Sequence, residues 1–256
     1  MDIEIRDISY HYVRNHDVFR NISFSLHSGD ILSILGGNGA GKSTLLNCMA
    51  GLALPASGEI LIDNRPLRTM THNEIAQQVG YIPQIHSNSF AYSVLEYVVM
   101  GRAPYISAFT NPSKDDYRIA TKNMRLVGLD GMEDHIITEL SGGEQQLAMI
   151  ARVLTQEAKI IIFDEPANHL DYGNQYRLLD IMLRLARQGY IIVSTTHNPA
   201  HALKLGGKAA ILDKENGIRI DKAEKILTEE NLSAIYGIPI GIVNLEEYKQ
   251  TICFPV

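Results

Sequence analysis

The chain predicts an α/β fold with a helical subdomain inserted into it. Three features carry that expectation. Gly36-Gly37-Asn38-Gly39-Ala40-Gly41-Lys42-Ser43, followed by Thr44, joins an apolar segment of strand type, residues 30–35, to a helix-forming stretch, residues 43–50. Residues 159–163 and 190–195 are apolar runs of the buried parallel-strand type, and each leads into polar residues. Residues of about 85–150 carry helical periodicity and few strand signals.

The glycine loop fits G-x-x-x-x-G-K-[ST] without a gap, and strand, loop and helix are the context that gives the pattern meaning. Phosphates need several donors converging on a small volume. Backbone N–H groups at a helix N-terminus supply them, with the helix dipole adding to the attraction. Glycines let the backbone turn tightly and approach the anion with no Cβ in the way. Lys42 would reach the β- and γ-phosphates of a nucleotide, and the Ser43 hydroxyl would ligate Mg²⁺.

From the N-terminus, residues 2–13 alternate as a strand with Ile3, Ile5 and Ile8 at apolar positions. Tyr10 and Tyr12 share a face if the strand continues. An aromatic beside the cradle can stack on an adenine ring; an edge-strand tyrosine is the other reading of that spacing. Residues 18–26 alternate again, and Ser28-Gly29-Asp30 turns the chain into the strand before the loop. Gly51, Pro55 and Gly58 mark turns ahead of a strand at 59–62. Residues 73–79 read as helix, and 79–84 as a short strand closing on Gln84.

Helical patterns follow at 93–102 and 114–126, with Pro104 and Pro112 in the connection. Leu140-Ser141-Gly142-Gly143-Glu144 then heads the apolar-periodic helix 147–154. A glycine pair there suits an anion, and Ser141 with Glu144 three residues on also fits a capping box. The strand at 159–163 ends in Asp164-Glu165-Pro166. In an α/β sheet the strand end is where ligands bind, so Asp164 would hold Mg²⁺, and Glu165 would face a water poised to attack the γ-phosphate. A helix over about 175–187 ends at Gly189. His197 closes the strand that begins at Tyr190, placed either to contact the γ-phosphate and the attacking water or to serve structure. A strand is expected at 209–212 with Gly217 in a turn, a short helix at 228–236 capped by Thr228, and an edge strand within 241–256.

The bulk numbers narrow the function classes. The chain has 256 residues, 45% hydrophobic and 20% charged, an ordinary composition for a globular protein. A net charge of −6 offers no general basic footprint, so no nucleic-acid partner is expected. Cys48 and Cys253 form no metal-spaced pair and suit a reducing, cytoplasmic setting. No apolar run approaches the roughly 20 residues of a membrane-spanning helix. Residues 1–6 carry no signal-peptide core.

Taken together, the blocks resemble the ATP-binding subunits of ABC transporters: the glycine loop, Tyr81-Ile82-Pro83-Gln84, Leu140-Ser141-Gly142-Gly143-Glu144, Ile160-Ile161-Ile162-Phe163-Asp164-Glu165-Pro166, His169-Leu170-Asp171, and His197 after its strand. The order matches over nearly the whole chain. The resemblance implies a P-loop NTPase core of ABC-ATPase type with an antiparallel β subdomain and an inserted helical subdomain. It implies one domain over 1–256, with 1–84 and 151–256 as core and about 85–150 as the helical part.

By the same resemblance Tyr12 stacks on adenine, with Tyr10 the second choice. Gly36, Asn38, Gly39, Ala40, Gly41, Lys42, Ser43 and Thr44 bind ATP. Ser43, Gln84 and Asp164 attend Mg²⁺, and Lys42, Glu165 and His197 are catalytic. Ser141, Gly142, Gly143 and Glu144 form the signature that meets ATP held by a second copy, and Asp171 is the D-loop aspartate. Gly37 stands where proline is common in the family, Glu144 where glutamine is usual, and Ala167 where threonine is frequent; none of these removes a catalytic group.

Residues 90–94 and Val99-Met100-Gly101-Arg102 resemble, more narrowly, the importers of metal chelates and their molybdate-type relatives. The implied protein is a homodimeric ATPase on the cytoplasmic face of the membrane. A separate permease would hold it there, and an external substrate-binding protein would complete the system. The rival reading is a soluble ABC ATPase acting on the ribosome or on nucleic acid. Such chains usually carry two cassettes or a coiled-coil insertion, and this one has neither.

Overall fold

The computed structural model describes residues 1–256 apart from 14–15, 85–90, 108–109, 169, 214–216, 246 and 248–249. The chain forms two compact units, Met1–Thr69 with Met182–Val256, and Met70–Ile181.

The first unit opens with β1 (Asp2–Val13) and β2 (His16–His27), then β3 (Ile31–Leu35), α1 (Lys42–Met49), β4 (Ser57–Ile62) and the short β5 (Arg65–Pro66). β1 pairs antiparallel with β2 and with β4, so that Ile3 faces Leu26 on one side and Ile62 on the other. The apolar positions of the alternation, Ile3, Ile5, Ile8, Ile22 and Leu26, are buried as the period of two requires. Between Ile5 and Ile8 the register shifts. Asp7 has φ 48° there, and its N–H donates to Ser23 Oγ at 2.8 Å.

The second unit holds α2 (His72–Gln78), β6 (Val79–Ile82), α3 (Val94–Val99), α4 (Lys114–Val127), α5 (Gly142–Thr155), β7 (Ile160–Phe163) and the start of α6 (Tyr172–Arg187). β6 and β7 run parallel, Val79 beside Ile160 and Ile82 beside Phe163. α2, α3, α4 and α5 all begin with a full capping box: Thr71 with Glu74, Ser93 with Glu96, Ser113 with Asp116, and Ser141 with Glu144. The expected helix at 93–102 tightens after Val99 into a 3₁₀ segment, Met100–Tyr105, with Pro104 inside it. A Cβ on Gly101 would overlap the Arg152 carbonyl oxygen, so the close approach of this segment to α5 requires glycine.

Arg102 ties the segment down. Its buried guanidinium donates to Asp116 Oδ1 at 2.8 Å, Glu157 Oε2 at 2.6 Å and the Thr155 carbonyl at 3.0 Å, and it lies 4.1 Å over the Tyr105 ring. Arg102→Met should cost about 2 kcal/mol, below the range for a fully buried pair because Glu157 is half exposed. For a chain of this size that is a fall in the melting midpoint of roughly 4–8 °C, read by thermal denaturation. An unchanged midpoint would show the cluster to be energetically idle.

The first unit resumes with β8 (Ile191–Thr195), α7 (Pro199–Leu205), β9 (Lys208–Asp213), β10 (Gly217–Lys222), α8 (Ala223–Ile226), α9 (Glu229–Tyr236), β11 (Ile240–Leu245) and β12 (Gln250–Pro255). β3 lies between β8 and β9 and is parallel to both, while β10 borders β9 antiparallel. Every residue of β3 and of β8 is buried. Gly217, expected in a turn, opens β10 instead. The tail differs more. In place of one edge strand it forms a separate hairpin, β11 with β12. Ile240, Ile242 and Cys253 of that hairpin pack on the cluster of Leu35, Ile211, Ile226 and Leu232.

Candidate active site

The loop between β3 and α1 takes the shape its glycines permit. Gly39 and Gly41 have φ of 71° and 98°, in the region where a Cβ is costly. A Cβ on Gly41 would also stand 2.6 Å from Val18 Cγ1, and one on Gly36 would overlap the Leu212 carbonyl oxygen. The Lys42 ammonium, largely buried, donates to the carbonyls of Gly36 at 2.8 Å and Gly37 at 3.1 Å, so the side chain folds back over the loop. No side chain caps α1, and its first turn carries no acidic residue. A helix start with no side-chain cap, a positive dipole end and a buried lysine fits a phosphate group.

Thr44 is buried and its Oγ1 lies 2.9 Å from Tyr12 Oη. Tyr12 is 69% exposed, and its ring meets Tyr10 edge-on, with centroids 5.0 Å apart. Tyr10 in turn packs against the buried Phe19 at 6.1 Å. Of the two tyrosines, Tyr12 presents an open ring and is tethered to the loop helix. Cys48, on α1, is buried, and burial pushes its thiol up to about 12, which leaves it a small apolar filler. His197 sits exposed beyond β8, with its carbonyl accepting from Tyr236 Oη at 2.8 Å. Tyr236, on α9, was not legible as a support for that turn.

In the second unit, Asp164 follows β7 and is buried. Its N–H donates to the Ile82 carbonyl at 2.9 Å, extending the β6–β7 ladder by one bond, and its Oδ2 accepts from Tyr81 Oη at 3.3 Å. Burial, and then the neighbouring carboxylate, push the Tyr81 phenol well up, so it remains a donor. Glu165 has φ 48°, a left-handed conformation uncommon for glutamate. Its Oε2 accepts from Gln84 Nε2 at 2.8 Å and also from Asn168 Nδ2. Gln84, expected near the metal, is thus bonded to the expected base. The three side chains expected to attend Mg²⁺, Ser43, Gln84 and Asp164, all offer oxygen, the donor that cation takes.

Ser141 caps α5 as the sequence suggests. Its N–H and its hydroxyl donate to Glu144 Oε2 at 2.9 and 2.7 Å, and those bonds hold the Glu144 carboxyl below the usual range. Asp171 caps α6, its Oδ1 accepting from the Asn174 N–H at 2.8 Å and its Oδ2 from Asn174 Nδ2 at 2.9 Å. A Cβ on Gly143 would come 2.5 Å from that same Asn174 amide, while Gly142 is open. Asn174 therefore lies against Gly143 while bonding Asp171, a link no local pattern announces. His169, and Phe90 of the stretch 90–94, lie outside the described residues.

Residues 19–168 match the model of the ABC transporter family. The chain belongs to that family. It is 36% identical over 250 residues to the molybdate import ATP-binding protein MolC of Haemophilus influenzae, covering 97% of this chain and 93% of that one. It is 31% identical over 230 residues to the ferric enterobactin transport ATP-binding protein FepC of Escherichia coli, covering 90% and 85%. A solved metal-chelate type ABC transporter in an inward-facing conformation superposes with a TM-score of 0.87 at 34% identity, over 99% of this chain and 97% of that one. The fold is that of an ABC ATPase, and the chain is an ATP-binding, ATP-hydrolysing member of the family.

Proposed function

We propose that this chain is the ATP-hydrolysing subunit of an importer that takes up a metal chelate or an oxyanion through a separate membrane subunit. The observation that carries the reading is similarity along most of the chain to ATP-binding proteins named for molybdate import and for ferric enterobactin transport. Among the described residues no helix is long and apolar enough to cross a membrane. The chain would sit on the cytoplasmic face, held by its permease, and an external substrate-binding protein would deliver cargo.

The proposed chemistry assigns each group one task. Lys42 leaves the Gly36 and Gly37 carbonyls for the β- and γ-phosphates, exchanging neutral acceptors for charged ones. Ser43, Gln84 and Asp164 would hold Mg²⁺, which would supply positive charge against the phosphates. Glu165 accepts the proton of the attacking water, and His197 contacts the γ-phosphate. In a head-to-tail pair, Ser141, Gly142, Gly143 and Glu144 of a second copy meet that phosphate, with Asp171 at the join. ATP then closes the pair, and hydrolysis reopens it.

Tyr12→Ala should raise the KM for ATP about tenfold, the lower part of the range for one stacked base, with little change in kcat. Steady-state kinetics checks this, and an unchanged KM removes Tyr12 from the adenine site. The reading as a whole is tested by tagging the chain and solubilising native membranes in detergent. Equimolar recovery of a polytopic membrane protein is expected. Recovery of ribosomal proteins or nucleic acid, with no membrane subunit, would favour the soluble ABC ATPase instead.

A further inference from the structure

Asn168 is bonded to Glu165 twice. Its backbone N–H donates to the Glu165 carbonyl at 3.1 Å, closing a turn over Glu165-Pro166-Ala167-Asn168, and its side-chain amide donates to Glu165 Oε2. The first bond is accepted by the residue whose φ of 48° breaks with the strand before it. The second fixes the carboxylate at its end. Gln84 Nε2 reaches the same oxygen at 2.8 Å from beyond β6, so two neutral amides converge on one atom of the carboxylate. A glutamate with three side-chain torsions has many rotamers, and a general base works only when held within hydrogen-bond reach of its water.

We propose that Asn168 is a positioning residue for ATP hydrolysis: it orients the Glu165 carboxylate through Oε2 and, with Gln84, sets which oxygen faces the water. The inference rests on the reading of Glu165 as the base. Asn168 itself touches no phosphate in this scheme. Its short amide suits the task, because the turn brings Asn168 back to Glu165, where its side chain reaches Oε2. An aspartate in its place would preserve shape and turn propensity while removing the donor and setting one carboxylate against another.

The experiment compares Asn168→Ala, Asn168→Asp, Asn168→Ser and Glu165→Gln in the full chain, reading kcat, KM, ATP affinity by calorimetry and the melting midpoint. Asn168→Ala should lower kcat about tenfold, the worth of one hydrogen bond to a charged group, with ATP affinity and midpoint unchanged. Asn168→Asp should lose at least about a hundredfold, by repulsion added to the lost bond. Asn168→Ser, which keeps a donor, should recover part of the alanine loss. In a Glu165→Gln background, Asn168→Ala should cost nothing further.

Native kcat in Asn168→Asp, beside an inactive Glu165→Gln, would overturn the role of Asn168 and leave the base reading standing. So would a fall in kcat that merely follows lost ATP affinity or lost thermal stability in all three Asn168 variants. Turnover by Glu165→Gln would instead remove the base reading on which the inference stands.

Discussion

Glu165→Gln should bind ATP with native affinity and hydrolyse it about 10²–10⁴-fold more slowly, the span that a positioned general base contributes. The substitution keeps the shape of the side chain and its carbonyl oxygen, so the bonds from Gln84 and Asn168 to that position can persist. What goes is the capacity to accept a proton from water. Because ATP is held and not consumed, the proposed pair should stay closed. Size-exclusion chromatography with light scattering should therefore report an ATP-dependent dimer that native protein shows only transiently. Two results would count against the assignment: turnover within about tenfold of native, short of the range for a base, or ATP binding lost along with activity. The first would move the base to another residue, and the second would make Glu165 part of the binding surface.

The local part of this site could be read from the sequence, and the part built by distant residues could not. The strand, glycine loop and first helix follow one another in the chain, so residue type and period announce them. The same holds for the capping box of Ser141 and Glu144, three residues apart. The choice between Tyr10 and Tyr12 was different in kind. A period of two puts both on one face, and only the packing of Tyr10 on Phe19, with Tyr12 left open beside Thr44, separates them. Tyr81 reaches Asp164 across 83 residues and Gln84 reaches Glu165 across 81, distances over which no local pattern speaks.

Asn174 beneath Gly143 is the clearest miss. It reads as an ordinary polar residue at the start of a helix until Gly143 is seen to leave room for it. In the tail, an edge strand is expected within 241–256, yet the partner of a strand is set by the turn and by packing. β11 pairs with β12 and rests on the α9 cluster instead of joining a larger sheet. β10 has alternation too, in Ile218 and Ile220, but the glycine before it, expected in a turn, begins the strand.

Lys42→Ala should abolish ATP binding and hydrolysis together, in contrast to the split expected at Glu165. The lysine is largely buried beside the loop that its own ammonium bonds, so its charge has already been partly withdrawn from water. Meeting two phosphates recovers charge-assisted bonds worth about 1.5–3 kcal/mol each, or roughly a hundredfold or more in affinity for the pair. Thermal shift reads this without any turnover. ATP at about 100 times its Kd stabilises the native chain by about 2.7 kcal/mol, a rise of roughly 5–11 °C for a chain of this size, and Lys42→Ala should show almost none of it. Without nucleotide the variant should melt within a few degrees of native, because the carbonyls that lose the ammonium, those of Gly36 and Gly37, are neutral, and Gly37 is exposed to water. A variant that melts normally, rises with ATP as the native chain does and still hydrolyses it would take the phosphate contact away from Lys42 and leave the helix amides as the anchor. A variant that melts far below native without ATP would show the opposite: that the ammonium chiefly fastens the loop, with nucleotide affinity lost as a consequence of its collapse.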